Sequence, residues 1–182
     1  MKTISETSRL KKQYQTVVVP ALQKELELAN VHQVPKVTKV VVNVGLGRAK
    51  DDKRLMEIAS NTVFKITGQK PVEVWSKKSI ATFKIRKGLN KVGVKVTLRG
   101  NRMYEFLDRF ISIVLPRIRD FHGVSNKSFD KMGNYSVGIE EQSVFPELSF
   151  EETSTAHGLQ VTFVFRSSGP EQSKALLTKF GV

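Results

Sequence analysis

The chain has 182 residues, 40% of them hydrophobic and none of them cysteine. It can bury a full core, but it cannot build a disulfide scaffold, a thiolate nucleophile, or a Cys-ligated zinc or iron–sulfur site. Thirty Lys and Arg against 17 Asp and Glu give a formal net charge of +13, which points to a polyanionic partner. No stretch approaches the roughly 20 apolar residues of a membrane span and no apolar signal core follows Met1, so the expectation is a soluble, unprocessed, intracellular protein with no membrane partner.

In chain order, Leu10, Tyr14, Val17, Leu22 and Leu26 recur at helical spacing and predict two short helices over about 5–29. Pro20 breaks the run and suits the first turn of the second helix. Thr38 to Val44 is β-branched and ends at Gly45-Leu-Gly47, which reads as a strand and a turn. Asp51 is placed to cap a helix whose stripe is Leu55, Ile58, Ala59, Thr62, Val63 and Ile66, with Gly68 as its stop. Pro71 to Ser76 reads as a short strand, and Lys77 to Asn90 as a long basic loop.

The run Val92 to Arg99 sends Val92, Val94, Val96 and Leu98 to one face and Gly93, Lys95, Thr97 and Arg99 to the other, a strand with one dry and one wet side. Gly100-Asn101 then opens a helix with Tyr104, Leu107, Phe110, Ile111 and Val114 on its stripe, and Leu115-Pro116 is expected to stop it. An irregular region follows. Leu159 to Arg166 alternates as another half-buried strand, and Pro170-Glu171 opens a last helix running through Phe180 to Gly181.

The order strand, helix, strand, strand, helix, strand predicts an α+β fold: a mainly antiparallel sheet in a split βαβ arrangement, helices on one face, and an N-terminal helical extension. No repeat or low-complexity linker divides the chain, so 1–182 reads as a single domain. The sheet face left open would carry Lys39, Asn43, Lys95, Thr97 and Arg99, as RNA-binding sheets do.

Charge is segregated along the chain. Val74 to Tyr104 holds nine basic residues and no acid, whereas Met132 to Phe165 holds Glu140, Glu141, Glu147, Glu151 and Glu152 and no Lys or Arg. The first block suits a polyanion, the second a basic protein.

Catalytic patterns fail. Gly45-Leu-Gly47 would need glycine where Lys50 stands to begin a dinucleotide fingerprint, and no phosphate-loop run exists. His32, His122 and His157 lack metal-ligand spacing and read as ordinary loop residues. No catalytic residue, metal site or cofactor is therefore expected. The alternative is a Mg²⁺-dependent RNA-processing enzyme, which would need acids beside the basic groove instead of apart from it. Most Phe residues fall in core registers; Trp75 and Phe83, beside the basic loop, are the aromatics suited to base stacking.

Several stretches closely resemble the universal large-subunit ribosomal protein five family: Lys39-Val-Val-Val-Asn-Val-Gly-Leu-Gly47, Ile66-Thr-Gly-Gln-Lys-Pro71, Lys78-Ser-Ile-Ala81, Val96-Thr-Leu-Arg-Gly100, Arg102-Met-Tyr-Glu-Phe-Leu-Asp-Arg109, Leu115-Pro-Arg-Ile-Arg-Asp-Phe121, Gly133-Asn-Tyr135, Glu141-Gln142 and Phe145-Pro-Glu147. The resemblance spans nearly the whole chain. It implies a non-enzymatic, cytoplasmic, ribosome-bound protein of the large subunit that binds 5S rRNA and helps attach it in the central protuberance, among large-subunit rRNA and neighbouring 5S-associated proteins.

At matching positions it implies 5S rRNA contacts from Asn43, Gln69, Thr97 and Arg99, with Lys95 added from the wet face of the strand. It implies that the basic loop, with Lys77, Lys78, Ser79, Lys84, Arg86 and Lys87, reaches the P-site tRNA. It also implies an intersubunit bridge to a basic small-subunit protein, the thirteenth, for which Glu140, Glu141 and Glu147 have the required sign. Where the family has glycine, Lys131 stands in Phe129-Asp-Lys-Met-Gly-Asn-Tyr135, which would place a side chain where the backbone tolerates positive φ.

Overall fold

A computed structural model describes residues 7–47, 52–119, 123, 125–153 and 155–182, without the side chains of 126, 150 and 151. The fold is α+β, as expected, around one five-stranded sheet. Its strands are β1 (Lys36–Gly45), β2 (Val72–Trp75), β3 (Lys91–Leu98), β4 (Tyr135–Ile139) and β5 (Leu159–Arg166), in the order β2-β3-β1-β5-β4, with β2 antiparallel to β3. The order β2-β3-β1-β5 is that of the predicted split βαβ unit. The fifth strand, β4, corrects the expectation of an irregular region there. Its alternation, Tyr135, Val137 and Ile139 about Ser136 and Gly138, spans only five residues, too few to stand out in the sequence.

The chain forms two compact units. The first comprises Met1–Val40, Arg99–Ser136 and Thr162–Val182. Its N-terminal helical run is continuous: α1 (Arg9–Gln13), a π-helical turn (Tyr14–Val18) and α2 (Val19–Glu25). The second helix of this unit is built the same way, from α4 (Gly100–Arg109), a π-helical turn (Phe110–Val114) and α5 (Leu115–Arg117).

Pro20 stands in the first turn of α2, as expected, although the helical run through it is unbroken; Pro116, expected to stop its helix at Leu115, instead lies in the first turn of α5, which is a correction. A proline lacks an N–H and its ring crowds the carbonyl four residues back. Those carbonyls belong to Thr16 and Ser112, and each lies inside a π turn, where the widened backbone relieves the crowding.

The run is also core and not merely an extension, since Leu10, Val18 and Leu22 are buried and α1 packs on α4. Tyr14 donates to the Pro35 carbonyl at 3.0 Å, and its ring lies 6.2 Å from Tyr104 and 6.1 Å from Phe180. Phe180 ends α7 (Pro170–Phe180), which stops at Gly181 in the left-handed region. A chain of rings, Phe106, Phe110, Phe163 and Tyr135, runs at centroid spacings of 5.9, 5.6 and 6.3 Å. Each such buried ring contributes about 1.5–3 kcal/mol. Lys131 does not take a positive φ; Gly133 does, at 79°, beneath the hydroxyls of Ser167 and Ser173.

The second unit comprises Val41–Leu98 and Val137–Val161. Its long helix, α3 (Lys53–Thr67), is capped by Asp52, whose carboxylate accepts from the N–H groups of Arg54 and Leu55 at 2.9 and 3.3 Å. The cap expected at Asp51 is thus displaced by one residue, and Asp51 itself lies outside the described residues. The helix buries Met56, Ala59, Thr62, Val63 and Ile66 and packs on β3. It ends at Gly68, φ 67°, as expected. The segment after β4 carries the short α6 (Phe150–Thr153) and is held by buried Gln142. That side chain donates to the Thr155 carbonyl at 2.8 Å and accepts from the His157 N–H at 2.7 Å.

Candidate nucleic-acid interface

The pairing register fixes the two faces of the sheet at its β2–β3 end. Glu73 pairs with Val94, which is fully buried with Val96 and Leu98 on the side where α3 packs; Val72 pairs with Lys95, which is exposed on the other side. Thr97 continues that outer face half-buried, and Arg99 follows Leu98 directly, exposed and extended at φ −142°. On β1, Asn43 is half-buried between fully buried Val42 and Val44, so it too turns away from the core.

Gln69 joins this group through the end of α3. Thr67 Oγ1 donates to the Val63 carbonyl at 2.6 Å and accepts from the Gln69 N–H at 3.4 Å, which fixes the turn after Gly68. The Gln69 amide then donates to the Thr97 carbonyl at 3.2 Å. Two sequence-predicted residues are thus brought into contact, and Oε1 of Gln69 remains as an acceptor. Among the described residues no side-chain hydrogen bond engages Asn43, Lys95 or Arg99, so their amide, ammonium and guanidinium groups are available to a ligand.

The basic loop, read from the sequence as a long loop, is internally organised. Its base is closed by the Ser76 N–H to the Asn90 carbonyl and the Gly88 N–H to the Ser76 carbonyl, both at 3.0 Å. Asn90 Oδ1 accepts from the Arg86 N–H at 2.8 Å, and Ser79 Oγ accepts from the Lys87 N–H at 3.0 Å. Ile80 and Ile85 exchange both backbone hydrogen bonds, making a miniature hairpin whose turn places Lys84 at φ 51°. Lys77, Lys78, Ser79, Lys84, Arg86 and Lys87 are all exposed on this frame. Trp75 and Phe83 are exposed too, consistent with surface and not core aromatics.

The acidic side divides. Glu140 and Glu141 are exposed at the end of β4, Glu141 accepting from Ser143 Oγ at 3.2 Å; Glu147 is half-buried. Glu152 is committed within the chain: Lys65 lies 2.7 Å away, and with the Ser149 N–H and hydroxyl it holds the Glu152 carboxyl below the usual carboxylate range. His157 is half-buried and its imidazole is pushed down by burial, whereas His32 is exposed; His122 lies outside the described residues. Among the described residues no group of His, Asp and Glu could hold a metal ion, and no helix is long and apolar enough to cross a membrane. Sequence reasoning missed Gln142, whose burial has no local signal, and it had no means of seeing the Gln69–Thr97 contact across 28 residues.

A sheet covered by helices on one face and presenting amides, a hydroxyl and cations on the other is the arrangement of a sheet-surface RNA-binding protein. Comparison with known proteins makes this specific. The family described as "Ribosomal protein L5" matches residues 30–86, and the model of the C-terminal part of the same ribosomal family matches 91–182. The chain is 51% identical over 173 residues to the large ribosomal subunit protein uL5 of Prochlorococcus marinus (strain NATL1A), covering 95% of this chain and 96% of that one. It is 48% identical over 174 residues to the uL5 of Cupriavidus metallidurans, covering 96% of each. The chain belongs to the uL5 family: it is a structural constituent of the large ribosomal subunit, serves translation bound to the ribosome, and is not an enzyme.

Proposed function

We propose that the whole chain, 1–182, acts as one binding domain that grips 5S rRNA on the open face of the sheet and helps attach it in the central protuberance. The observation that carries this reading is the grouping of Asn43, Gln69, Lys95 and Thr97, continued by Arg99, on a face whose side-chain polar groups are largely unused among the described residues. Amides and a hydroxyl can bond to 2′-OH groups and base edges while Lys95 and Arg99 reach phosphate, which favours RNA and a particular shape. Large-subunit rRNA and the neighbouring 5S-associated proteins complete its surroundings.

The basic loop, with Lys77, Lys78, Ser79, Lys84, Arg86 and Lys87, contacts the P-site tRNA. Its cations suit a backbone contact that must serve every tRNA. Glu140, Glu141 and Glu147 face the basic thirteenth small-subunit protein across the intersubunit bridge, where exposed, screened pairs can change register as the subunits rotate.

The test is a gel-shift titration of the purified protein with 5S rRNA, with tRNA and duplex DNA of similar length as competitors, at two salt concentrations. Preferential 5S binding that survives the higher salt is expected. Equal affinities that collapse together with salt would reduce the interaction to generic polycation binding and reject the reading.

A further inference from the structure

A groove of about 570 Å³ runs between α3 and the outer edge of the sheet, with Met56, Glu57 and Asn61 on the helix side, Glu73 and Trp75 on β2, and Leu89 at one end. It lies on the helix-covered side of the sheet, because Glu73 pairs with Val94 on the buried face, whereas Val72 and Lys95 face the other way. The groove is therefore distinct from the surface assigned to 5S rRNA. Three features make it an interaction surface. Trp75 is 46% and Leu89 68% exposed, costly apolar area for a free surface. The strand β2 ends the sheet, so among the described residues no strand lies beyond it to pair with its outer edge. The only tryptophan of the chain stands on that edge.

Charge decides the occupant. Asp52, Glu57 and Glu73 line the groove against Lys53 and Lys91, an acidic excess in a chain of net charge +13. Phosphate is disfavoured there and a cation favoured. Lys91 already displays the chemistry in miniature: its ammonium sits 5.3 Å over the Trp75 ring and 2.7 Å from the Glu73 carboxylate. Among the described residues Glu57 has no such partner. We propose that this groove docks an extended, arginine- or lysine-bearing segment of a partner protein, laid along β2 with its aliphatic portions on Met56, Leu89 and Trp75 and its cations toward Glu57 and Glu73. Strand addition at a free sheet edge gives affinity through the backbone, and the flanking groove selects the side chains.

The experiment uses the full-length protein and a blocked six-residue peptide of alternating arginine and isoleucine, labelled with fluorescein, with the alternating glutamate–isoleucine peptide and a short oligouridylate RNA as competitors. Anisotropy should show saturable binding, and a matching change in Trp75 emission should report that the groove is the site. Glu57→Gln, at an exposed position with no partner among the described residues, should retain the circular dichroism of the parent yet weaken the peptide about tenfold, the effect of losing one desolvated charge contact. Trp75→Leu should weaken it further.

Binding that is undiminished in both variants would place the peptide on other acids and overturn the proposal. So would displacement by the glutamate peptide. A Trp75 response to oligouridylate that excludes the arginine peptide would overturn it in favour of a nucleic-acid groove.

Discussion

A Cβ on Gly93 would stand 2.2 Å from the Val44 carbonyl oxygen, a backbone atom that cannot swing aside. Arg99, which follows the same strand, is exposed, and its side chain makes no hydrogen bond among the described residues. The two residues separate stability from binding. Gly93→Ala should lower the unfolding free energy by about 1–3 kcal/mol, as overpacking does, and appear as a lower urea midpoint with an unchanged slope. Arg99→Ala should leave that midpoint in place and weaken 5S rRNA by roughly 1–3 kcal/mol if its contact is direct. Unaltered 5S affinity in a filter-binding assay would remove Arg99 from the interface. Gln69→Ala should affect both quantities slightly, because its amide bonds to Thr97 while its Oε1 remains for the ligand.

At the scale of elements, the basic loop is a scaffold for cations and not a loose tether. The bonds that close it at Ser76, Ser79 and Asn90 run through backbone groups and these three uncharged side chains. Replacing Lys77, Lys78 and Lys87 together by alanine should therefore leave the loop folded and 5S binding intact, while shortening the residence of P-site tRNA on reassembled ribosomes. Equal loss of both affinities would reject the division of labour between loop and sheet.

How far these elements are legible depends on what encodes them. The alternation in Val92 to Arg99 and Leu159 to Arg166, and the stripe of α3, depend on local period alone and can be read directly. Pro116 misleads because a π turn is a response of the whole helix to crowding, with no residue of its own that announces it. The strand β4 escapes notice because five residues carry too little pattern. The candidate face is visible as Lys95, Thr97 and Arg99, but the arrival of Gln69 beside Thr97 depends on the αL turn at Gly68 and on tertiary packing.

For the molecule as a whole, three tyrosines mark an alkaline limit. Burial raises the phenols of Tyr14, Tyr104 and Tyr135, that of Tyr14 to about 12, with Tyr104 adding to it. A group whose pKa is higher in the folded than in the unfolded state supports folding below its unfolded value, about 10 for tyrosine, and loses that support as pH rises through the folded value. Stability should therefore be indifferent to these groups near neutrality and fall between about pH 10 and 12. Urea midpoints followed together with phenolate absorbance check this: the two changes should coincide. Tyr14→Phe should move the alkaline loss upward while costing about 1 kcal/mol at neutral pH for the lost bond to Pro35. An alkaline limb unchanged in that variant would exclude Tyr14 as its source.

The first compact unit is assembled from the beginning, the middle and the end of the chain. Tyr14 packs against Phe180, and Glu25 pairs with Lys179 at 2.8 Å. A ribosome making this protein emits α1 and α2 long before α7 exists, so the earliest helices emerge with an apolar side that nothing yet covers. Native closure of this unit waits for α7. Removing α7 would therefore uncover Tyr14 and leave Glu25 without Lys179, undoing structure in helices more than 140 residues earlier in the chain.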